Sequence, residues 1–250
     1  MTVTDVNVVK SAIFERPDDA NKGTLGSLLC VCGSYGMAGA AVMSAKGALR
    51  TGIGLAKCAL PRSIYPIVAQ TILESVYYPL SENADGRISK VNVPFLVSES
   101  CKSSATLVGC GLGVCDDTLK IVFSLIENST TPLVLDADAL NCVAKQPEIL
   151  LRKKAPIIIT PHPGEMSRLT GLATPLVNAE RERVALDFAQ KYGVVTVLKG
   201  AGTVIASPNG KVLVNPTGNS GMATGGSGDV LAGMTASILA QGASAFSSAA

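Results

Sequence analysis

Tryptophan is absent from this 250-residue chain, histidine occurs once, and aromatic residues make up only 4%. Nucleic-acid surfaces combine Lys/Arg clusters with stacking aromatics, and a net charge of +2 without such clusters excludes that class. Charged residues are also scarce, at 16% against roughly 25% in soluble domains. With 47% hydrophobic residues the chain can bury a large core, and the expectation is a homo-oligomer that hides further surface. No uninterrupted apolar run approaches the ~20 residues that cross a bilayer, so no membrane association is expected. The first residues, Met1-Thr2-Val3-Thr4-Asp5-Val6-Asn7, lack the basic and apolar regions of a secretion signal. A lone histidine and no Cys-x-x-Cys pair make zinc ligation a poor fit. The cysteines number seven, an odd count, and Cys30, Cys32 and Cys110 lie in apolar runs, which points to reduced, mostly buried thiols in a cytoplasm.

What is present alternates. Leu28-Leu29-Cys30-Val31-Cys32, Thr106-Leu107-Val108, Leu133-Val134-Leu135, Ile157-Ile158-Ile159 and Val194-Val195-Thr196-Val197-Leu198 are short apolar runs ended by Gly, Asp or a polar turn. Continuous apolarity over so few residues predicts strands of a parallel sheet covered on both faces. Residues 37–51, 117–127 and 179–192 are predicted helices, the last amphipathic, with Val184, Leu186, Phe188 and Ala189 set against Arg181, Glu182, Arg183 and Lys191. Residues 203–207 and 211–215 flank Pro208-Asn209-Gly210 as a β-hairpin near the C-terminus. No linker, repeat or low-complexity block interrupts the pattern. The expectation is one α/β domain over 1–250, a mostly parallel sheet flanked by helices.

Ligands of an open parallel sheet bind off the carboxyl ends of its strands. The residues there are Gly33-Ser34-Tyr35-Gly36-Met37-Ala38-Gly39, Gly109-Cys110-Gly111-Leu112-Gly113, Asp136-Ala137-Asp138-Ala139-Leu140-Asn141, Thr160-Pro161-His162-Pro163-Gly164-Glu165 and Lys199-Gly200-Ala201-Gly202-Thr203. The first has neither dinucleotide glycine spacing nor a Walker lysine, so those assignments fail. Small Ala40 and Ala41 would let a bulky ligand lie against the following helix. Asp136 and Asp138 could share ligand binding and loop organisation, with roles unassigned. His162, stiffened by Pro161 and Pro163, reads as a positioned ligand contact; Glu165 reads equally as the first-turn acid of a helix.

The longest signature is Asn215-Pro216-Thr217-Gly218-Asn219-Ser220-Gly221-Met222-Ala223-Thr224-Gly225-Gly226-Ser227-Gly228-Asp229, which runs directly into the apolar segment Val230-Leu231-Ala232-Gly233-Met234-Thr235-Ala236. Glycines before a helix let backbone N–H groups and the positive end of the helix dipole face an anion. A carboxylate in that first turn supplies a base for a hydroxyl proton, as phosphoryl transfer to an alcohol needs. A flexible glycine loop followed by an ordinary helix-start acid fits the same short motif.

Together these segments resemble the ADP/ATP-dependent NAD(P)H-hydrate dehydratases of the ribokinase-like superfamily, over roughly residues 21–242. His162-Pro163-Gly164-Glu165 and the long glycine signature carry the likeness. The resemblance implies a three-layer ribokinase-like sandwich and a cofactor-repair reaction. The C6 hydroxyl of (6S)-NADHX or NADPHX is phosphorylated by a nucleotide, ADP rather than ATP in the bacterial branch, and phosphate is then eliminated. By resemblance Ala40, Gly111, His162 and Asp229 contact the hydrate. Gly226, Ser227 and Gly228 hold the moving phosphoryl group beside the catalytic Asp229. Lys199, Gly200, Ala201, Gly202, Thr203 and Gly228 form the nucleotide site. The resemblance further implies Mg²⁺ without a dedicated metal-ligand cluster, a homotetramer, and a separate NAD(P)H-hydrate epimerase as functional partner. Two features depart from the pattern: the chain stops at Ala250, short of the family's C-terminus, and Cys110 stands where proline is common. The rival expectations are a ribokinase-like kinase of a vitamin-precursor alcohol, of hydroxymethylpyrimidine or hydroxyethylthiazole type, and a non-catalytic nucleotide-binding module.

Overall fold

Strand-forming runs in this chain meet in one nine-stranded sheet, ordered β3-β2-β1-β4-β5-β6-β7-β8-β9. The structure is a computed structural model and describes Lys10, Ile13 and residues 15–250. The strands are β1 Ser27–Val31, β2 Leu55–Pro61, β3 Val76–Leu80, β4 Ala105–Val108, β5 Leu133–Leu135, β6 Ile157–Ile159, β7 Val195–Leu198, β8 Thr203–Ala206 and β9 Val212–Asn215. The first seven pair parallel, and β8 and β9 add antiparallel at one edge. The expected hairpin is there, and β8 pairs on its other side with β7 as well.

Ten α-helices accompany these strands among the described residues: α1 Ala38–Arg50, α2 Tyr65–Thr71, α3 Val93–Cys101, α4 Asp116–Asn128, α5 Asp138–Val143, α6 Pro163–Thr170, α7 Thr174–Ala179, α8 Arg181–Tyr192, α9 Ser227–Ala240 and α10 Ala245–Ala249. Side chains alternate across each strand, so an all-apolar strand feeds two cores at once. Leu29, Val31, Val108, Leu133, Leu135, Ile157 and Ile159 face one core, with Leu96 of α3, Ile121 and Leu125 of α4, Met166 of α6 and Phe188 of α8. Leu28, Cys30, Leu107, Val134, Ile158, Val195 and Val197 face the other, with Ala41 and Ala45 of α1, Val68 of α2 and Ala232 and Ala236 of α9. The result is three layers, helix on sheet on helix, as expected. Five of the seven cysteines are buried, in line with the thiol reading.

The second core is lined by small residues where α1 crosses α9. A Cβ on Gly47 would stand 2.7 Å from the carbonyl oxygen of Val230, so only glycine lets these helices approach so closely. That contact seats the N-terminal end of α9 over the sheet.

Two strands and several helices escape the apolar-run reading. In β2, Lys57 interrupts the run, yet its ammonium is buried against Glu99 of α3 at 2.7 Å and the strand continues past it. In β3, an edge strand, Pro79 and exposed Val76 hide the signal. The helix predicted over 179–192 forms as α8 but starts two residues later, at Arg181, because Glu180, at φ −125° and ψ 41°, leaves helical geometry between α7 and α8.

Candidate active site

Strand register decides what meets at the carboxyl edge. Val31 lies opposite Val108, Val108 opposite Leu135, Leu135 opposite Ile159 and Ile159 opposite Thr196. Cys32, Gly109, Asp136 and Thr160, one residue further on, therefore emerge side by side, while β7 runs on to deliver Lys199. The Lys199 N–H donates to the Pro161 carbonyl at 2.9 Å, which locks that loop to its neighbour.

Asp136 is the hub of this edge. It is 1% exposed, its Oδ1 accepts from Lys199 Nζ at 2.6 Å and from Thr160 Oγ1 at 2.7 Å, and the Cys110 thiol lies 3.8 Å from Oδ2. Cys110, Asp136 and Asp229 bring one ligand atom each to within 4.8 Å of one another. Lys199 is also 3.8 Å from Oε2 of Glu165. Its ammonium lies against the first turn of α9: a Cβ on Gly228 would sit 3.5 Å from Nζ. Burial alone would lower the Lys199 pKa, but the carboxylates of Asp136 and Glu165 outweigh it and hold it above the ordinary lysine value.

Asp229 is half-buried in the first turn of α9, which begins where the sequence motif placed it. Burial, followed by the Asp136 charge, raises its pKa, which makes it a stronger base than a solvated carboxylate. The N–H groups of Gly226, Gly228 and Asp229 find no acceptor among the described residues, and they lie at the positive end of the helix dipole. The Ser227 hydroxyl is already committed to the Met222 and Thr224 carbonyls at 2.8 and 3.1 Å, so Ser227 shapes the loop with its side chain.

His162 caps α6. Its Nδ1 accepts from the N–H groups of Gly164 at 3.0 Å and Glu165 at 3.3 Å, and Glu165 Oε2 returns a bond from the His162 N–H at 2.8 Å. An accepting Nδ1 leaves the proton on Nε2, which lies 3.5 Å from Oε1 of Glu165. Burial, with Lys199 and Arg168 nearby, lowers the His162 pKa and favours this neutral form.

The two aspartates left unassigned by sequence divide the work. Asp136 holds Lys199. Asp138, the first residue of α5, accepts the Gly113 N–H at 2.8 Å and so organises the glycine loop. Gly111 in that loop, at φ +62°, packs directly on α1, where a Cβ would stand 2.7 Å from that of Ala40. The proposed hydrate contacts Ala40 and Gly111 are thus immediate neighbours. Between the aspartates, Ala137 is the one non-glycine residue at positive φ among the described residues, at φ 48° and ψ −114°. Such strain costs of order 1–3 kcal/mol. Ala137→Gly should relieve it, net of glycine's extra unfolded entropy, and raise the Tm by roughly 2–4 °C per kcal/mol recovered in a thermal melt. An unchanged or lower Tm would mean the position is unstrained.

Residues 199–202 form the tight β7–β8 connection, closed by a bond from Oγ1 of Thr203, the first residue of β8, to the Gly200 carbonyl at 3.0 Å. Arg181 holds this loop from beneath, donating from Nη2 to the Leu198 carbonyl at 2.8 Å and towards that of Gly202 at 3.5 Å. The amphipathic pattern put Arg181 on the polar face of a helix and gave it no such task. One signal was available: an arginine at the start of a helix opposes the dipole and needs another partner.

The donors around Asp136 do not fit a resident Mg²⁺, which prefers near-octahedral oxygen ligands. Asp136 Oδ1 is taken by Lys199 and Thr160, an ammonium stands beside the cluster, and Cys110 is a buried thiol held protonated, through its bond with Cys32 and then burial.

With this geometry in place, the family model for NAD(P)H-hydrate dehydratase matches residues 28–250. The chain belongs to the NAD(P)H-hydrate dehydratase family. A bifunctional NAD(P)H-hydrate repair enzyme from Moorella thermoacetica is 39% identical over 93% of this chain and 44% of its own length. An ADP-dependent (S)-NAD(P)H-hydrate dehydratase from Neisseria meningitidis serogroup B is 35% identical over 94% of this chain and 76% of its own. The crystal structure of an ADP/ATP-dependent NAD(P)H-hydrate dehydratase from Bacillus subtilis, grown with ATP/Mg²⁺, superposes with a TM-score of 0.84 at 30% identity, covering 99% of this chain and 84% of that one. The chain spans less than half the length of the bifunctional relatives it matches. The three-layer architecture is the ribokinase-like one. Among the described residues no helix is long and apolar enough to cross a membrane.

Proposed function

We propose that this chain dehydrates (6S)-NADHX and NADPHX back to NADH and NADPH at the expense of a nucleotide. ADP is the proposed donor, in keeping with the ADP-dependent relatives of this family. The observation that carries the reading is Asp229, a base of raised pKa, one residue past unpaired N–H groups at the start of α9 and beside the buried Lys199–Asp136 pair.

In this reading the hydrate's ring lies against the segments that carry Ala40 and Gly111, and His162 Nε2–H donates to a polar group of the substrate. Asp229 removes the C6 hydroxyl proton as the oxygen attacks the terminal phosphorus, and the bridging P–O bond to the rest of the nucleotide breaks, releasing AMP when ADP is the donor. The Gly226 and Gly228 N–H groups take the developing charge on the transferred group, Ser227 holds the loop between them, and the Lys199 ammonium lies alongside. Elimination then breaks the C6–O bond, phosphate leaves, and loss of the neighbouring ring proton restores the dihydropyridine. Residues 199–203 seat the nucleotide. Mg²⁺ is proposed only as a companion of the nucleotide phosphates, since the protein's own donors do not suit it. Residence in the cytoplasm, assembly as a homotetramer, a single domain over 1–250 and a separate epimerase partner complete the proposal. Buried thiols and the low charge content support the first two.

The test is incubation of hydrated NADH with ADP or ATP and Mg²⁺, following dihydropyridine absorbance and phosphate. Recovery of absorbance with stoichiometric phosphate is expected. A stable phosphorylated vitamin-precursor alcohol instead, or nucleotide binding without turnover, would overturn the reading. Arg181→Met should free the loop over residues 199–203 and raise the nucleotide Kd about tenfold, near 1.4 kcal/mol, with hydrate KM little changed. Equal losses in both constants would point to general misfolding.

A further inference from the structure

Glu165 is the buried group of this site to which the proposed reaction assigns no task. It is 5% exposed, yet its only hydrogen bond from a donor in the described residues is the His162 N–H, with Lys199 Nζ at 3.8 Å and His162 Nε2 at 3.5 Å. Asp136 is better served, by Lys199 and Thr160 at 2.6 and 2.7 Å. Lys199 stands between Glu165 and Gly228, its Nζ 3.5 Å from where a Cβ on Gly228 would sit. The groups facing Glu165 are His162 and Arg168 on its own helix, Lys199 beyond β7 and Asp136 beyond β5, with Asp229 of α9 behind Asp136. Three buried or half-buried carboxylates, Asp136, Glu165 and Asp229, thus share one close ammonium. Fully ionised, this cluster is net negative where an anionic nucleotide must enter.

We propose that Glu165 takes up one proton from solvent when the nucleotide binds, releasing the Lys199 ammonium from the Glu165 side of its clamp toward the incoming phosphate. The inference rests on the proposed nucleotide site. The proton adds to a Glu165 carboxylate oxygen to give the neutral acid, no other bond is made or broken, and half-exposed His162 is its solvent-side neighbour. Burial raises the Glu165 pKa to about 7, against the opposing pull of Lys199 and the His162 N–H. Below that pH the proton is already in place. Above it the proton must be acquired, so nucleotide affinity falls as pH rises, approaching tenfold per unit for one linked proton.

The experiment is calorimetric titration of ADP with Mg²⁺ into the whole chain, in buffers of differing ionisation enthalpy, at pH 6, 7 and 8. The wild type should take up close to one proton per ADP at pH 8, measured against Glu165→Gln, which keeps an acceptor for the His162 N–H. That variant should take up none and should bind ADP at pH 8 about as tightly as the wild type does at pH 6. Binding by the wild type with no proton uptake at pH 8 overturns the inference by itself, whether or not the variant folds. Uptake that persists in Glu165→Gln also overturns it, because the proton then goes elsewhere. Failure of the wild type to bind ADP at any of these pH values removes the nucleotide reading along with it.

Discussion

Asp229→Asn should lower kcat by about 10²–10⁴ while nucleotide affinity stays nearly intact. Asparagine fills the same volume and keeps the first turn of α9, so the unpaired N–H groups of Gly226 and Gly228 stay in place at the proposed phosphoryl site. What it loses is the ability to accept the hydroxyl proton. The raised pKa of Asp229, caused by burial and then by Asp136, has a kinetic consequence of definite sign. Wild-type turnover should fall as pH drops through that raised value, because the protonated acid is no base, and the variant should lose this acid limb. Steady-state kinetics across pH, with ADP binding measured separately, check both parts. Turnover within threefold of wild type would remove Asp229 from the mechanism.

The second large effect is on stability. Lys199→Met should destabilise the fold by about 3–5 kcal/mol, the usual penalty for stripping one partner from a buried pair. Asp136, 1% exposed, would keep only Thr160 and the Cys110 thiol as partners, with Asp229 close by. At roughly 2–4 °C per kcal/mol for a chain of this size, the Tm should fall by roughly 6–20 °C. The deficit should be largest above pH 7, where Glu165 is ionised and also lacks its ammonium, and smaller at pH 6, where it is protonated. Lys199→Met with Asp136→Asn should recover most of the loss, since asparagine can still accept from Thr160. If the single variant melts within 2 °C of wild type, Lys199 is free in solution and the clamp does not exist.

Legibility of the fold followed hydrophobic continuity. β5 and β6 coincide with Leu133-Val134-Leu135 and Ile157-Ile158-Ile159 because strands buried on both faces leave no polar residue inside the run. β2 was illegible for the converse reason: Lys57 is polar in sequence, and only its pairing with Glu99, forty-two positions away, lets the strand carry it largely out of solvent. Edge strand β3, half of it solvated, has no such continuity to read.

In the site, local motifs were legible as loops of the right chemistry. The start of α9 at the glycine run and the cap formed by His162 and Glu165 depend on neighbours in sequence, so backbone propensity and short-range hydrogen bonds determine them. The partnership of Asp136, Lys199, Glu165 and Asp229 is of another kind. Its members lie on four separate strand ends and helix starts, and they meet only because parallel register levels those ends. Arg181 beneath the loop and the strain at Ala137 belong to the same class. The amino-acid sequence by itself determined which elements form and which chemistry each loop carries, because turns, caps and apolar runs are short-range. Tertiary structure alone decided which carboxylate keeps the lysine and which is left basic, because burial and charge proximity arise only once distant segments are packed together.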